Sequence, residues 1–237
     1  MATVTHIPNL IKSLISYNFK VIFGNKFVYF LGGSLLFYLL VVSINIFSSE
    51  SISVEDIYNL HIFPALLLIS FPTIFGIQND ADARMLEIIF GIPNYRYKVY
   101  LLRLFMIVIM EIIYLLILSL LSNFLLINFN MVLMSYRLLA PVMFFGMIGF
   151  AFSTVVRNGN GTVVVVVILA LLFWILTGFL GTSKWNVFLN PYKSPDDMNE
   201  LVWATVVYQN RVILAVASIV LLLWGMLNLQ SREKFMK

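Results

Sequence analysis

The stretch FVYFLGGSLLFYLLVVSINIF, Phe27 to Phe47, runs for 21 residues without a single charge. A helix needs about 20 predominantly apolar residues to cross the hydrocarbon core of a bilayer. Five comparable runs lie further along the chain. Ile57–Ile77 is apolar around Pro64 and Pro72, and Val99–Ile127 includes Arg103 and Glu111. Leu138–Val156, Thr162–Leu180 and Val212–Leu229 complete the set. None shows the polar–apolar alternation of a membrane barrel strand, so the spans are helical. The expected fold is an all-α integral membrane protein, one transmembrane domain over residues 1–237. Its spans lie at about 27–47, 57–77, 99–122, 138–156, 162–180 and 211–229.

Composition agrees. Hydrophobic residues make up 61% of the chain, charged residues 11%, and mean hydropathy is +0.97. A soluble domain is nearer half apolar and a quarter charged. Cysteine is absent, which excludes disulfides, thiol nucleophiles and thiolate metal sites. The two histidines, His6 and His61, are too few and too far apart for a histidine-rich metal site. The net charge of +4 is spread over the connections and forms no patch of the kind nucleic acid needs, so no nucleic-acid partner is expected.

Basic residues set the orientation. With both termini in the cytoplasm, 11 of the 15 Lys and Arg fall inside, leaving Arg137, Lys184, Lys193 and Arg211 outside. That asymmetry favours N-in and C-in. Residues 7–25 precede the first span with apolar residues at helical spacing and Lys12 and Lys20 on the other side. They read as an amphipathic helix lying in the cytoplasmic interface. No cleavable signal is apparent, because the first apolar run is longer than a signal-peptide core. The connection at 182–210 falls outside; within it, 201–208 is apolar and reads either as a short re-entrant helix or as the start of a long sixth span.

The connection QNDADARMLEIIFGIPNYRYK, Gln78 to Lys98, concentrates charge in an apolar chain. Asn79 or Asp80 suits a helix N-cap, and Gly91 and Pro93 stop the helix. Met85, Ile88, Ile89 and Ile92 recur at i, i+3, i+4 and i+7 as an apolar stripe. Asp80, Arg84 and Glu87 fall on another face at ion-pair spacing. A helix over 79–93 is marginal alone and needs a surface to lie on. The membrane can supply that surface, and so can a protein partner.

This connection resembles that of ABC-2 type transporter permeases, where spans two and three are commonly joined by a segment reading E-x-E-x-G-T-L-E-x-L-L-x-x-P. Asp80 and Asp82 stand for the early acidic residues, Leu86-Glu87 for the Leu-Glu core, Ile88-Ile89 for the aliphatic pair and Pro93 for the proline. Arg84-Met85 stands where Gly-Thr is usual. Six spans, cytoplasmic termini, an amphipathic elbow and Asn190-Pro191 ahead of the last span are similar to that family as well. The resemblance implies a coupling helix docked in a separate ATP-binding subunit, through Asp80, Asp82, Arg84, Met85, Leu86, Glu87, Ile89 and Pro93. It implies an exporter in the cytoplasmic (inner) membrane of a bacterium, built from this chain as a homodimer or with a related permease. No G-x-x-x-x-G-K-[ST] occurs, so ATP would be bound by the partner and no cofactor by this chain.

Glu111 and Arg103 are the ionisable residues of the third span and candidates for an intramembrane polar site. Glu111 can line a path, pair with Arg103 through intervening groups, or pack as a neutral acid. Pro64, Pro72 and Pro141 suit hinges or plain bends. Gly149 and Ser153, and Gly32-Gly33-Ser34, permit close helix contact. The sequence holds no H-E-x-x-H and no G-x-S-x-G, so an enzyme is not expected. A non-transporting anchor or assembly subunit of an ABC complex is the alternative, although its outer connections are shorter than a soluble domain.

Overall fold

The computed structural model describes residues 25–47, 51–82, 85–91, 94–196 and 198–230, with side chains from Phe27 onward. The expected interfacial helix at 7–25, together with Arg84, Ile92 and Pro93, lies outside the described residues. All regular elements described are helical. They are α1 (Asn25–Phe47), α2 (Val54–Asp82), α3 (Leu86–Gly91), a π-helical turn (Arg96–Leu101) running into α4 (Leu102–Leu125), α5 (Met131–Val156), α6 (Gly159–Leu180) and α7 (Glu200–Asn228). Among the described residues six helices, counting the turn and α4 as one, are long and apolar enough to cross a membrane.

Several helix ends are set by local hydrogen bonding. Ser53 and Asp56 form a capping box at the start of α2: the Ser53 amide and hydroxyl donate to Asp56 Oδ2, and the Asp56 amide donates to Ser53 Oγ. Asn130, Asn158 and Asn199 cap α5, α6 and α7, each accepting an amide of the first turn. Between α5 and α6, Arg157 takes φ 57° and Asn158 caps at once, which makes the turn tight.

Helices α2 and α5 form the centre, with 61% of the most apolar window of each buried. Helix α5 packs on α2, α4, α6 and α7, while α1 packs on α2. Small residues allow the close approaches. A Cβ on Gly149 would meet Thr73 Oγ1 at 2.8 Å, and one on Gly225 would meet Phe150 Cε1 at 2.7 Å. Gly149 thus serves internal α2–α5 packing. Helix α6 is the opposite case. Only 6% of its window is buried, and Val164, Ile168, Leu171, Ile175 and Phe179 point away from the bundle. Apolar side chains facing outward in this number mark a surface solvated by lipid.

Two expectations about boundaries change, and one open alternative is decided. Helix α2 continues through Asp82, so Asp80 and Asp82 belong to the second span's helix and not to a separate rod over 79–93. The next element is the six-residue α3, whose buried stripe is Leu86, Ile89 and Phe90. Ile88 is 62% exposed whereas Ile89 is 2% exposed, so the two do not share a face. The cause is angular: in a helix restarting at Leu86, positions 86, 89 and 90 stack, and position 88 lies about 200° away from 86. Finally, α7 is one unbroken helix from Glu200, which resolves 201–208 as the start of the sixth span. Trp203 anchors that start, its indole N–H donating to Pro191 O at 3.2 Å.

Candidate functional site

Several buried polar residues share one face of α4. Its buried residues include Arg103, Glu111, Tyr114, Leu118, Ser119 and Ser122, mostly spaced by three, four or eight positions along a single stripe. The preceding π-helical turn sets the phase of this stripe and places Val99 and Tyr100 inside as well.

At the end of the bundle that carries α3, Arg103 Nη1 donates to Asp80 Oδ2 at 2.5 Å, with both side chains buried. Tyr100 Oη donates to the same carboxylate oxygen at 3.4 Å, and the Arg103 guanidinium lies 5.7 Å from the Tyr100 ring centroid. A cleft adjoins the pair, walled by Pro72, Gly76, Leu104, Ile107 and Phe150, with Thr73, Asn79, Tyr100 and Arg103 as its polar members. The same end is tied to α7. The Tyr95 hydroxyl donates to Leu229 O, and Arg96 Nη1 donates to Met226 O at 3.4 Å.

Further along α4, toward the opposite end, α1, α2 and α4 share a second cluster. Ser122 Oγ lies 2.7 Å from Tyr38 Oη and 2.8 Å from His61 Nε2, while Ser34 bonds both Tyr114 and the Pro64 carbonyl. Glu111 lies on the stripe between the two clusters and is wholly buried, with no hydrogen-bond partner for either oxygen among the described residues. Arg103 and Glu111 do not pair directly: Arg103 is engaged by Asp80, and eight residues of helix separate the two by roughly 12 Å.

At the opposite end, residues 181–196 fold over the bundle. Asn190 Nδ2 donates to Glu55 O at 3.0 Å and Asn59 Oδ1 at 3.1 Å, and Asn210 Nδ2 donates to Lys184 O and Asn186 O. Arg211 Nη2 reaches Tyr58 Oη at 2.9 Å and Leu189 O at 3.2 Å. The Arg137 guanidinium covers the Tyr192 ring at 4.5 Å. Val187, Phe188 and Leu189 are buried beneath, so this connection is a packed cap.

The proposed docking residues therefore divide. Glu87 and Asp82 are exposed, Met85 is half-buried, and Leu86 and Ile89 pack into the core. Asp80 is turned inward to Arg103. Sequence reasoning missed Tyr38, His61, Tyr114 and Ser122. The signal it could have used is the recurrence of Tyr114, Leu118 and Ser122 at i, i+4 and i+8 with Glu111 one turn earlier.

The fold and this buried polar stripe define a multi-pass, all-α membrane protein. The chain matches no protein-family model, no curated protein and no solved structure with which it was compared.

Proposed function

We propose that the chain is the transmembrane permease subunit of an ATP-driven ABC-2 type exporter of the cytoplasmic (inner) membrane. It works as a homodimer or with a related permease, and a separate ATP-binding subunit hydrolyses the ATP. The observation that carries this reading is α3, a short helix in the connection between the second and third spans, held to the bundle by Leu86, Ile89 and Phe90 while Glu87 and Ile88 face outward. An outward acid beside an outward aliphatic, on a helix fixed from behind, is suited to docking in a partner's groove. The resemblance of Leu86-Glu87-Ile88-Ile89 to the permease pattern supports the same assignment.

Force applied to α3 passes to both neighbours. The Asp80–Arg103 pair ties the end of α2 to the start of α4, and Tyr95 and Arg96 tie the connection to the end of α7. Reversing the charge at Glu87, together with Arg84, is expected to abolish ATPase activity coupled to transport while expression stays intact. Unchanged coupling would remove the docking role.

A further inference from the structure

Glu111 is the ionisable group that the transport reading leaves without a task. Its side chain is wholly buried, and neither oxygen has a hydrogen-bond partner among the described residues. Leaving a polar group unpartnered in an apolar interior is costly, and far more so for a bare charge. The partner missing from such a carboxyl is a proton.

The titratable or charged groups facing this interior are Tyr38 from α1, His61 and Asp80 from α2, and Tyr100, Arg103 and Tyr114 from the α4 segment. The buried face of α5 has none, since Arg137 is engaged with Tyr192 at the far end. Arg103, the single buried cation of this interior among the described residues, is held by Asp80. Among the described residues no Lys or Arg pairs with Glu111, and His61 Nε2 is taken by Ser122.

The cleft beside Asp80 and Arg103 ends at Ile107, one helical turn short of Glu111. Side chains on an α-helix lean toward its N-terminus, so the Glu111 carboxyl lies over the turn that holds Ile107. Ile107 is the innermost α4 residue of the cleft beside Asp80 and Arg103. The cleft's polar members, Thr73, Asn79, Tyr100 and Arg103, supply the two to four partners that an internal water needs. Its half-buried members, Gly76 and Asn79, lie toward the α3 end and mark the mouth.

We propose that Glu111 is a proton-binding site in the middle of the membrane, served by water through the cleft from the end that carries α3. One carboxylate oxygen takes a proton from hydronium and leaves water; the reverse step returns it by the same route. A protonatable acid reached from one side is the element that proton-coupled movement requires. This site does not depend on the ATP-driven reading and stands or falls separately from it.

Deuterium exchange followed by infrared spectroscopy tests it, using the full chain in lipid nanodiscs and water as the probe. A carboxylic-acid carbonyl band, assigned by its loss in Glu111→Gln, is expected to shift when the buffer is changed to D2O. Gly76→Leu fills the cleft, because nothing lies within 4 Å of a Cβ at Gly76. It is expected to slow the shift about tenfold by closing the polar path to water. Thr73→Val, which keeps the volume and removes a hydroxyl from the cleft, is expected to slow it as well and serves if the leucine variant does not fold. No acid band lost in Glu111→Gln overturns the site. An exchange rate unaltered by the cleft variants overturns the route.

Discussion

Arg103 and Asp80 meet at 2.5 Å inside the bundle, 23 positions apart in the chain. The pair ties the end of α2 to the start of α4. Asp80 remains helical and inward-facing because its carboxylate finds a buried guanidinium, and the connection to the third span is shortened accordingly.

Removing one member of this pair leaves the other buried and uncompensated. Arg103→Met is expected to destabilise the protein by about 3–5 kcal/mol, whereas Asp80→Leu with Arg103→Met is expected to lose less than the sum of the single changes. Unfolding in detergent micelles measures both. Additive losses would mean that the two side chains do not act on one another.

The cap at the opposite end depends on Asn190, which donates to Glu55 O and Asn59 Oδ1 and accepts the Tyr192 amide. Asn190→Ala is expected to cost about 1–3 kcal/mol and to speed amide exchange through 181–196. Hydrogen exchange read by mass spectrometry gives the answer. Unaltered exchange would assign the hold to buried Val187, Phe188 and Leu189 alone.

Two glycines of the spans should respond oppositely. Gly149→Leu drives a side chain against Thr73 and Ile74 of α2 and is expected to cost about 1–3 kcal/mol. Gly178→Ala, on the outward face of α6 with nothing within 4 Å, is expected to be neutral or to stabilise by roughly 0.5–1 kcal/mol through helix propensity. Thermal unfolding of the two variants side by side separates packing from propensity.

Six spans and an all-helical fold were legible because an uninterrupted apolar run of bilayer length has few alternatives in water or lipid. The start of α2 carries a local signal too, in Ser53-Val-Glu-Asp56, a capping box with both members within four residues. The end of α2 carries none, because Asp80 is held by a residue 23 positions later. Likewise Tyr38, His61 and Ser122 join across 61 and 84 positions, and no local pattern announces such a meeting. The charged connection was legible as a break in the spans. The phase of its helix was not, since that depends on where α3 restarts after Asp82.

Glu87 and Ile88 are exposed, so Glu87→Lys and Ile88→Asp are expected to leave stability within about 0.5 kcal/mol of the parent. A large loss of stability would mean that these side chains hold the bundle together instead of serving a partner.

Affinity purification of the chain from its native membrane in mild detergent tests the central proposal most directly. An ATP-binding subunit is expected to come with the parent chain and to be lost from the Glu87→Lys, Ile88→Asp double variant. Purification without any ATP-binding protein, across several detergents, would contradict the permease assignment.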